Sequence, residues 1–273
     1  MTATALDELP AAARHRVPRT SVGLGAATAT LGRQKVLAAV RSGDALLAFL
    51  SPIVFFVCFY VPLHRQFELG GGDYAQYLTP IILLQAGLFT AITATQTAGQ
   101  DARAGMHERM MSLPIPRVAP FLGRMAWVVA RMLIALAGGL LIGCSLGFRF
   151  HGTLWQTIVY VLLVVVFGLS LSMLTDAIGT VAKNTVGIAG VLMIPQLILV
   201  MASTGLVPAT AFPDWAQPFV RNQPMSIFTD ALRALSDGSR AEIDLTAVLI
   251  WSAALLAVGF AAIVAAGRSQ VKR

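Results

Sequence analysis

The chain has 273 residues, of which 56% are hydrophobic and 12% charged, against roughly 25% charged in an average soluble domain. Apolar runs of about 20 residues, the length a helix rising about 1.5 Å per residue needs to cross a bilayer core, recur along it, which excludes a water-soluble fold. A membrane β-barrel is excluded as well, because it would show strands of about ten alternating residues in place of unbroken apolar blocks. The net charge of +7 does not mark a nucleic-acid binder, since the basic residues gather beside the apolar runs and not on an aromatic-interleaved surface.

In chain order, residues 1–44 are polar, Ala-rich and basic, with no apolar h-region near Met1, so a cleaved signal peptide is not expected and this tail is placed in the cytoplasm. Within it Leu24, Leu31, Val36, Leu37 and Val40 recur at loose helical spacing among Arg33, Lys35 and Arg41, the pattern of a helix lying along the membrane interface, though a solvated basic tail is the plainer alternative. Six spans are then predicted: Ala45 to Leu63, Tyr77 to Ala98, Met125 to Phe148, Gln156 to Ala182, Thr185 to Val207 and Leu245 to Gly267. The division between the fourth and fifth rests on Lys183 and Asn184. The fold class is thus an all-α integral membrane protein: a tail at 1–44, a six-span domain at 45–267 and a basic tail at 268–273.

Charge bias sets the orientation. With both ends inside, the cytoplasmic segments hold Arg14, Arg16, Arg19, Arg33, Lys35, Arg41, Arg103, Arg109, Arg117, Arg124, Lys183, Arg268, Lys272 and Arg273. The external segments hold Arg65, Arg149, Arg221, Arg233 and Arg240 beside Glu68, Asp73, Asp214, Asp230, Asp237, Glu242 and Asp244. Lys and Arg favour the cytoplasmic side, so the chain is predicted N-in and C-in.

Two connecting stretches are too long to be plain connectors. The cytoplasmic one runs from Gln100 to Arg117. The external one runs from Pro208 to Asp244 and is cut by Pro208, Pro213, Pro218 and Pro224 into short pieces. There Met225, Phe228, Leu232 and Leu235 share one helical face while Asp230 and Arg233 pair at i, i+3, the pattern of short amphipathic helices dipping back toward the outer leaflet.

Chemistry-bearing groups are sparse. His15, His64, His107 and His151 have no metal-ligand spacing, and Gly70-Gly71-Gly72 lacks the Gly-Lys-Ser/Thr of a phosphate cradle. Asp176 falls near the inner headgroups by helix rise, which favours a structural role over proton coupling. Arg131, about two turns into the third span, is expected to snorkel to the cytoplasmic surface along Trp127. Pro52, Pro80 and Pro195 are sites for helix kinks, and Gly138, Gly139 and Gly143 for close helix packing.

The cytoplasmic stretch resembles the signature of ABC-2 type permeases, in which an acid, a glycine four residues on, a second acid and a later Pro-x-x-Arg form an amphipathic coupling helix. Here these are Asp101, Gly105, Glu108, Pro114 and Arg117, with Asp101 standing where the family more often has Glu. A second stretch, Ser203 to Ser226 (STGLVPATAFPDWAQPFVRNQPMS), is similar to the family's segment before the last span, including Pro213, Trp215 and Pro224, and Arg233 and Gly238 fit the Arg-x-x-x-x-Gly that follows. The nearest group is the daunorubicin-resistance-type permeases of actinobacteria.

The resemblance implies a bacterial cytoplasmic-membrane exporter subunit. Two permease halves, identical or paralogous, would join two separate nucleotide-binding ATPase subunits that carry ATP and Mg. This chain has no Gly-x-x-x-x-Gly-Lys-Ser/Thr of its own, so it is expected not to be an enzyme and to hold no cofactor. Met106, Met110, Met111 and Leu113 would fill a groove on the ATPase, with Glu108 and Arg109 pairing at its rim. The span walls are mostly Leu, Val, Ile, Ala, Phe and Met, which suits a hydrophobic or lipid-like amphiphile, a cell-envelope lipid or an aromatic cationic drug; Gln85, Thr93 and Gln196 are the residues expected along its path. The competing classes are a membrane-embedded lipid-modifying enzyme or its accessory subunit, which would need a catalytic acid pair or His at the headgroups, and a secondary transporter, which would follow a proton gradient and ignore ATP.

Overall fold

Apolar chain in lipid satisfies its own backbone through helices, and helices are what form. The computed structural model describes residues 23–69, 73–103, 118–182, 184–239 and 244–271. Among them no strand occurs, and the elements in order are α1 (Leu24–Ser42), α2 (Asp44–Leu69), α3 (Tyr74–Arg103), α4 (Ala119–Ser145), α5 (Leu154–Val181), α6 (Thr185–Met201), a 3₁₀ turn (Ala209–Ala211), α7 (Gln217–Asn222), α8 (Pro224–Asp237) and α9 (Leu245–Val271). Five stretches are long and apolar enough to cross a membrane: Asp44–Arg65, Tyr74–Arg103, Ala119–Ser145, Leu154–Val181 and Leu245–Arg268. The fifth predicted span is the shorter helix α6, of 17 residues.

Local signals account for the ends. Gly43 closes α1 in the left-handed conformation at φ 80°, which glycine adopts without steric cost. Pro120 in the first turn of α4 suits a helix start, so α4 begins at Ala119 and takes Arg124 into its first turns; the sequence, which weighs charge against span, starts it later. Thr153 and Gln156 form a capping box at the start of α5, each satisfying an amide the helix leaves open. Asn184 caps α6 by accepting from the Gly187 amide at 3.1 Å. The helices run unbroken through Pro52, Pro80 and Pro195.

The centre of the bundle is α3, with 20 of its 30 residues buried, as expected of a helix packed on all sides. It lies against α2, α4, α5, α6 and α8. The contact with α5 is close because glycines meet: a Cβ at Gly87 would stand 3.3 Å from the Gly168 Cα, and one at Gly179 would strike the Thr95 carbonyl. Gly138 and Gly139 of α4 abut Phe49 and Leu83, and Gly143 abuts Thr79, so these small residues set helix approach as membrane interfaces require. On the outside, α9 lies on α5 and α8, and α2 and α9 turn Leu46, Leu47, Val54, Leu249, Ile250 and Phe260 outward. The predicted interfacial helix is α1. Its small residues Ala27, Gly32 and Ala39 are buried while Leu24, Leu37 and Val40 are exposed, and it packs chiefly across α4.

Candidate functional site where α3 ends and α4 begins

At the end of the bundle where α3 stops and α4 starts, three ion pairs cross between helices. Lys35 of α1 donates to both carboxylate oxygens of Asp101 at 2.6 and 2.7 Å. Arg124 of α4 holds Asp176 of α5 bidentately, Nε to Oδ1 at 2.7 Å and Nη2 to Oδ2 at 2.9 Å, the geometry that makes an arginine–carboxylate pair both strong and directional. Arg131, about two turns further along the same face of α4, donates through Nη1 to the carboxylate and the carbonyl of Asp44, the first residue of α2. Asp176 is 2% exposed and Arg131 8%.

The arrangement is mechanical as much as electrostatic. Asp101 lies just before the stretch 104–117 and Arg124 just after it. One is tied to α1 and the other to α5. Helix α1 also touches α4 directly, through Leu31 against Gly123 and Gly32 against Ala126. The two ends of that stretch are thus tied to α1 and α5 by directional ion pairs, which hold a defined geometry where apolar contacts can slide.

Between these pairs lies a cleft lined by Thr90, Thr93 and Thr97 of α3, Arg124, Trp127 and Arg131 of α4, and Asp176. Its free volume is about 10 Å³, room for one water. A second, filled recess sits between α2 and α3, lined by Ser51, Pro52, Phe55, Ile82, Gln85, Ala86 and Phe89. Gln85, Phe89, Thr93 and Thr97 follow one another at i+4, so the two hollows share a single stripe of α3. Two of the predicted path residues, Gln85 and Thr93, are on that stripe; Gln196 is buried on α6 and lines neither hollow. The amide oxygens of Gln85 and Gln196 are both buried without a hydrogen-bond partner.

The opposite end is capped by the segment after α6. The predicted apolar face of Met225, Phe228, Leu232 and Leu235 is buried, with Phe228 against Phe167 at 4.9 Å, so α8 turns that face onto the bundle. Arg233 pairs with Asp230 at 3.0 Å, and also donates to the carbonyls of Tyr77, Thr204 and Gly205 while lying 3.5 Å from the Tyr77 ring centroid. Gln76 donates to Asp237 at 2.7 Å and to the Arg149 carbonyl at 3.1 Å. Pro224 opens α8, the Pro213 carbonyl accepts from Ala216, and Trp215 is 84% exposed.

Of the residues expected at the coupling site, Asp101 is placed by its pair with Lys35; Gly105, Met106, Glu108, Arg109, Met110, Leu113, Pro114 and Arg117 lie outside the described residues. Arg131 corrects an expectation. It does not snorkel outward but is buried against Asp44, because α1 and the start of α2 cover its end of α4. Asp44 and Lys35 were missed as partners: each looks in sequence like an ordinary charge flanking a span, and only the packing of α1 and α2 on α4 and α3 brings it to its mate.

A family model described as ABC-2 family transporter protein matches residues 64–268. The chain belongs to the ABC-2 transporter family. Among curated relatives, the doxorubicin resistance ABC transporter permease protein DrrB of Mycobacterium tuberculosis is 34% identical over 214 residues, covering 76% of this chain and 74% of the relative. The daunorubicin resistance ABC transporter permease protein DrrB1 of Streptomyces coeruleorubidus is 30% identical over 209 residues, covering 77% and 74%. A probable doxorubicin resistance permease, DrrC of M. tuberculosis, is 27% identical over 212 residues, covering 77% and 76%. This ABC-2 permease is accordingly a multi-pass protein of the cytoplasmic membrane. The family match takes in the cleft, the loop and the cap, while Lys35 and Asp44 precede it.

Proposed function

We propose that this permease is the membrane-spanning subunit of an ATP-binding-cassette exporter that moves a hydrophobic or lipid-like amphiphile outward across the cytoplasmic membrane. Two separate ATPase subunits, carrying ATP and Mg, power it by moving the stretch 101–117, and a second permease half, identical or paralogous, completes the path within the surrounding lipid. The observation that carries the proposal is the pair of anchors flanking that stretch, Asp101 on Lys35 and Arg124 on Asp176, in a chain of this family. The mainly apolar outer surfaces and the small polar stripe of α3 support an amphiphile over a sugar or peptide, whose many polar groups would each cost several kcal/mol to strip of water. The relatives' names favour a drug as the second choice.

The proposed topology has six crossings with both ends inside. Helix α6, at 17 residues, spans about 26 Å, and its surroundings support a full crossing: Thr185 at its start abuts Gly99 of α3, and Gly205 just beyond its end abuts Ile81, so it runs beside most of the length of α3. With Cys58 and Cys144 removed, a membrane-impermeant thiol reagent applied to intact cells is expected to label Asp73→Cys and Asp237→Cys and to spare Ser112→Cys. Labelling at position 112 from outside would reverse the orientation. Purification from native membranes is expected to bring down a separate chain with a phosphate-binding loop, and a fully active complex without one would contradict the proposal.

A further inference from the structure

We propose that the cleft beside the coupling loop is an entry site for an anionic oxygen headgroup, phosphate or carboxylate, borne by an amphiphile in the adjoining leaflet. This rests on the exporter proposal for the purpose of the site, and on the following geometry for its chemistry. Arg131 commits Nη1 to Asp44, yet its Nε is buried and has no hydrogen-bond partner, although the residue lines the cleft and is 8% exposed. A buried N–H on a permanent cation calls for an acceptor. A cationic headgroup offers none, whereas an oxyanion offers the acceptor and the opposite charge, and the guanidinium geometry suits it.

Other groups on the wall bear on the same ligand. Arg124 places a second guanidinium on the cleft, its charge shared with the Asp176 carboxylate that lines the same wall. Thr90, Thr93 and Thr97 now donate to the carbonyls of Ala86, Phe89 and Thr93 at 2.9, 3.0 and 3.0 Å, bonds that a hydroxyl rotation exchanges for an oxyanion at little cost because the carbonyls stay within the helix ladder. Asp44 occupies the opposing edge of Arg131 and is the internal competitor for its charge. The free volume of about 10 Å³ is too small for a phosphate, so admission requires α4 to draw back from α3, a movement that the anchors at Asp101 and Arg124 couple to the loop between them.

The test is equilibrium binding to the purified permease, with whatever subunits accompany it from the membrane, in maltoside micelles without nucleotide. The probes are dihexanoyl phosphatidic acid, dihexanoylglycerol and the dihexanoyl trimethylammonium-propane analogue. Saturable binding of the phosphatidic acid is expected to be at least about tenfold tighter than that of the other two, the range of one charge-assisted hydrogen bond. Asp44→Asn, which releases the Arg131 charge, is expected to tighten it further by about threefold or more. Asp44→Asn combined with Arg131→Gln, which keeps the pair neutral and foldable, is expected to bring the anion down to the neutral probe. Equal binding of all three probes, or weakened binding in Asp44→Asn, would overturn the site. Displacement of the lipid by inorganic phosphate at equal concentration would overturn the amphiphilic part and assign the cleft to a free anion. Because no ATP is present, these outcomes are independent of the exporter proposal: anion binding without any response of ATP hydrolysis would keep the site and remove the transport role built on it.

Discussion

Asp176→Ala is expected to lower the temperature at which the detergent-solubilised permease loses monodispersity by about 10 °C or more, the largest stability loss of any single charge removal in the bundle. The reason is Arg124. Its guanidinium gives both Nε and Nη2 to that one carboxylate and its side chain is 14% exposed, so removing the acid leaves a cation in a wall that cannot hydrate it. Breaking a buried pair on one side costs about 3–5 kcal/mol, a large part of the 5–15 kcal/mol that holds a typical domain folded. Removing both charges is different, since an apolar pair of similar volume avoids the desolvation cost altogether. Arg124→Met with Asp176→Leu is therefore expected to recover most of the stability while weakening transport, because the α4–α5 tie proposed to carry loop movement has lost its direction. Equal stability of the single and double variants would show that the pair is solvated and that Asp176 is not the anchor described here.

The second large effect is expected at Glu108, in the loop between the anchors. At the contact with the ATPase proposed for Glu108, charge reversal leaves partner charges unpaired, which typically costs several kcal/mol. Glu108→Arg is expected to reduce ATP-driven transport at least about tenfold, since a loss of that size exceeds the 1.4 kcal/mol per decade of binding. Insertion into the membrane and thermal stability are expected to stay at wild-type levels, because the anchors that hold the bundle are Asp101, Arg124 and Asp176. Normal transport by Glu108→Arg, or by Glu108→Arg with Arg109→Glu, would show that both charges are merely solvated.

Most of the architecture was legible because it rests on period and length. The runs that cross the bilayer announce themselves by hydropathy, and the amphipathic face of α8 was readable from Met225, Phe228, Leu232 and Leu235 because i, i+3, i+4 spacing survives any packing partner. The Asp230–Arg233 pair was readable for the same reason. The position of the path guesses Gln85 and Thr93 on one stripe follows from helix period, but whether cargo passes there is a separate matter that binding must decide.

What stayed hidden depends on contacts between distant segments. Nothing local distinguishes Lys35 from the other basic residues of α1, or Asp44 from any acid at a helix start. Their partners stand 66 and 87 residues away. Arg131 departs from the snorkelling expected of it because snorkelling needs a helix facing lipid or water, whereas α1 and α2 pack on this part of α4. Helix α6 is the remaining instructive element. Its predicted span ran on to Val207, but the chain turns at Met201 because Ser203 bonds back to Val200 at 2.7 Å and Thr204 is held by Ser226 at 3.1 Å, so the last apolar residues of that run serve the cap.

Central to this account is that ATP hydrolysis by a partner subunit drives an amphiphile outward through this permease. The direct measurement is reconstitution of the complete complex in liposomes, following ATP hydrolysis and ATP-dependent movement of a panel of sugars, peptides, aromatic cations and long-chain lipids. Stimulation and movement are expected for the long-chain lipids, with those bearing an anionic headgroup foremost, and are expected to vanish without ATP. Stimulation and movement confined to sugars or peptides, or movement that follows a proton gradient and ignores ATP, would contradict it.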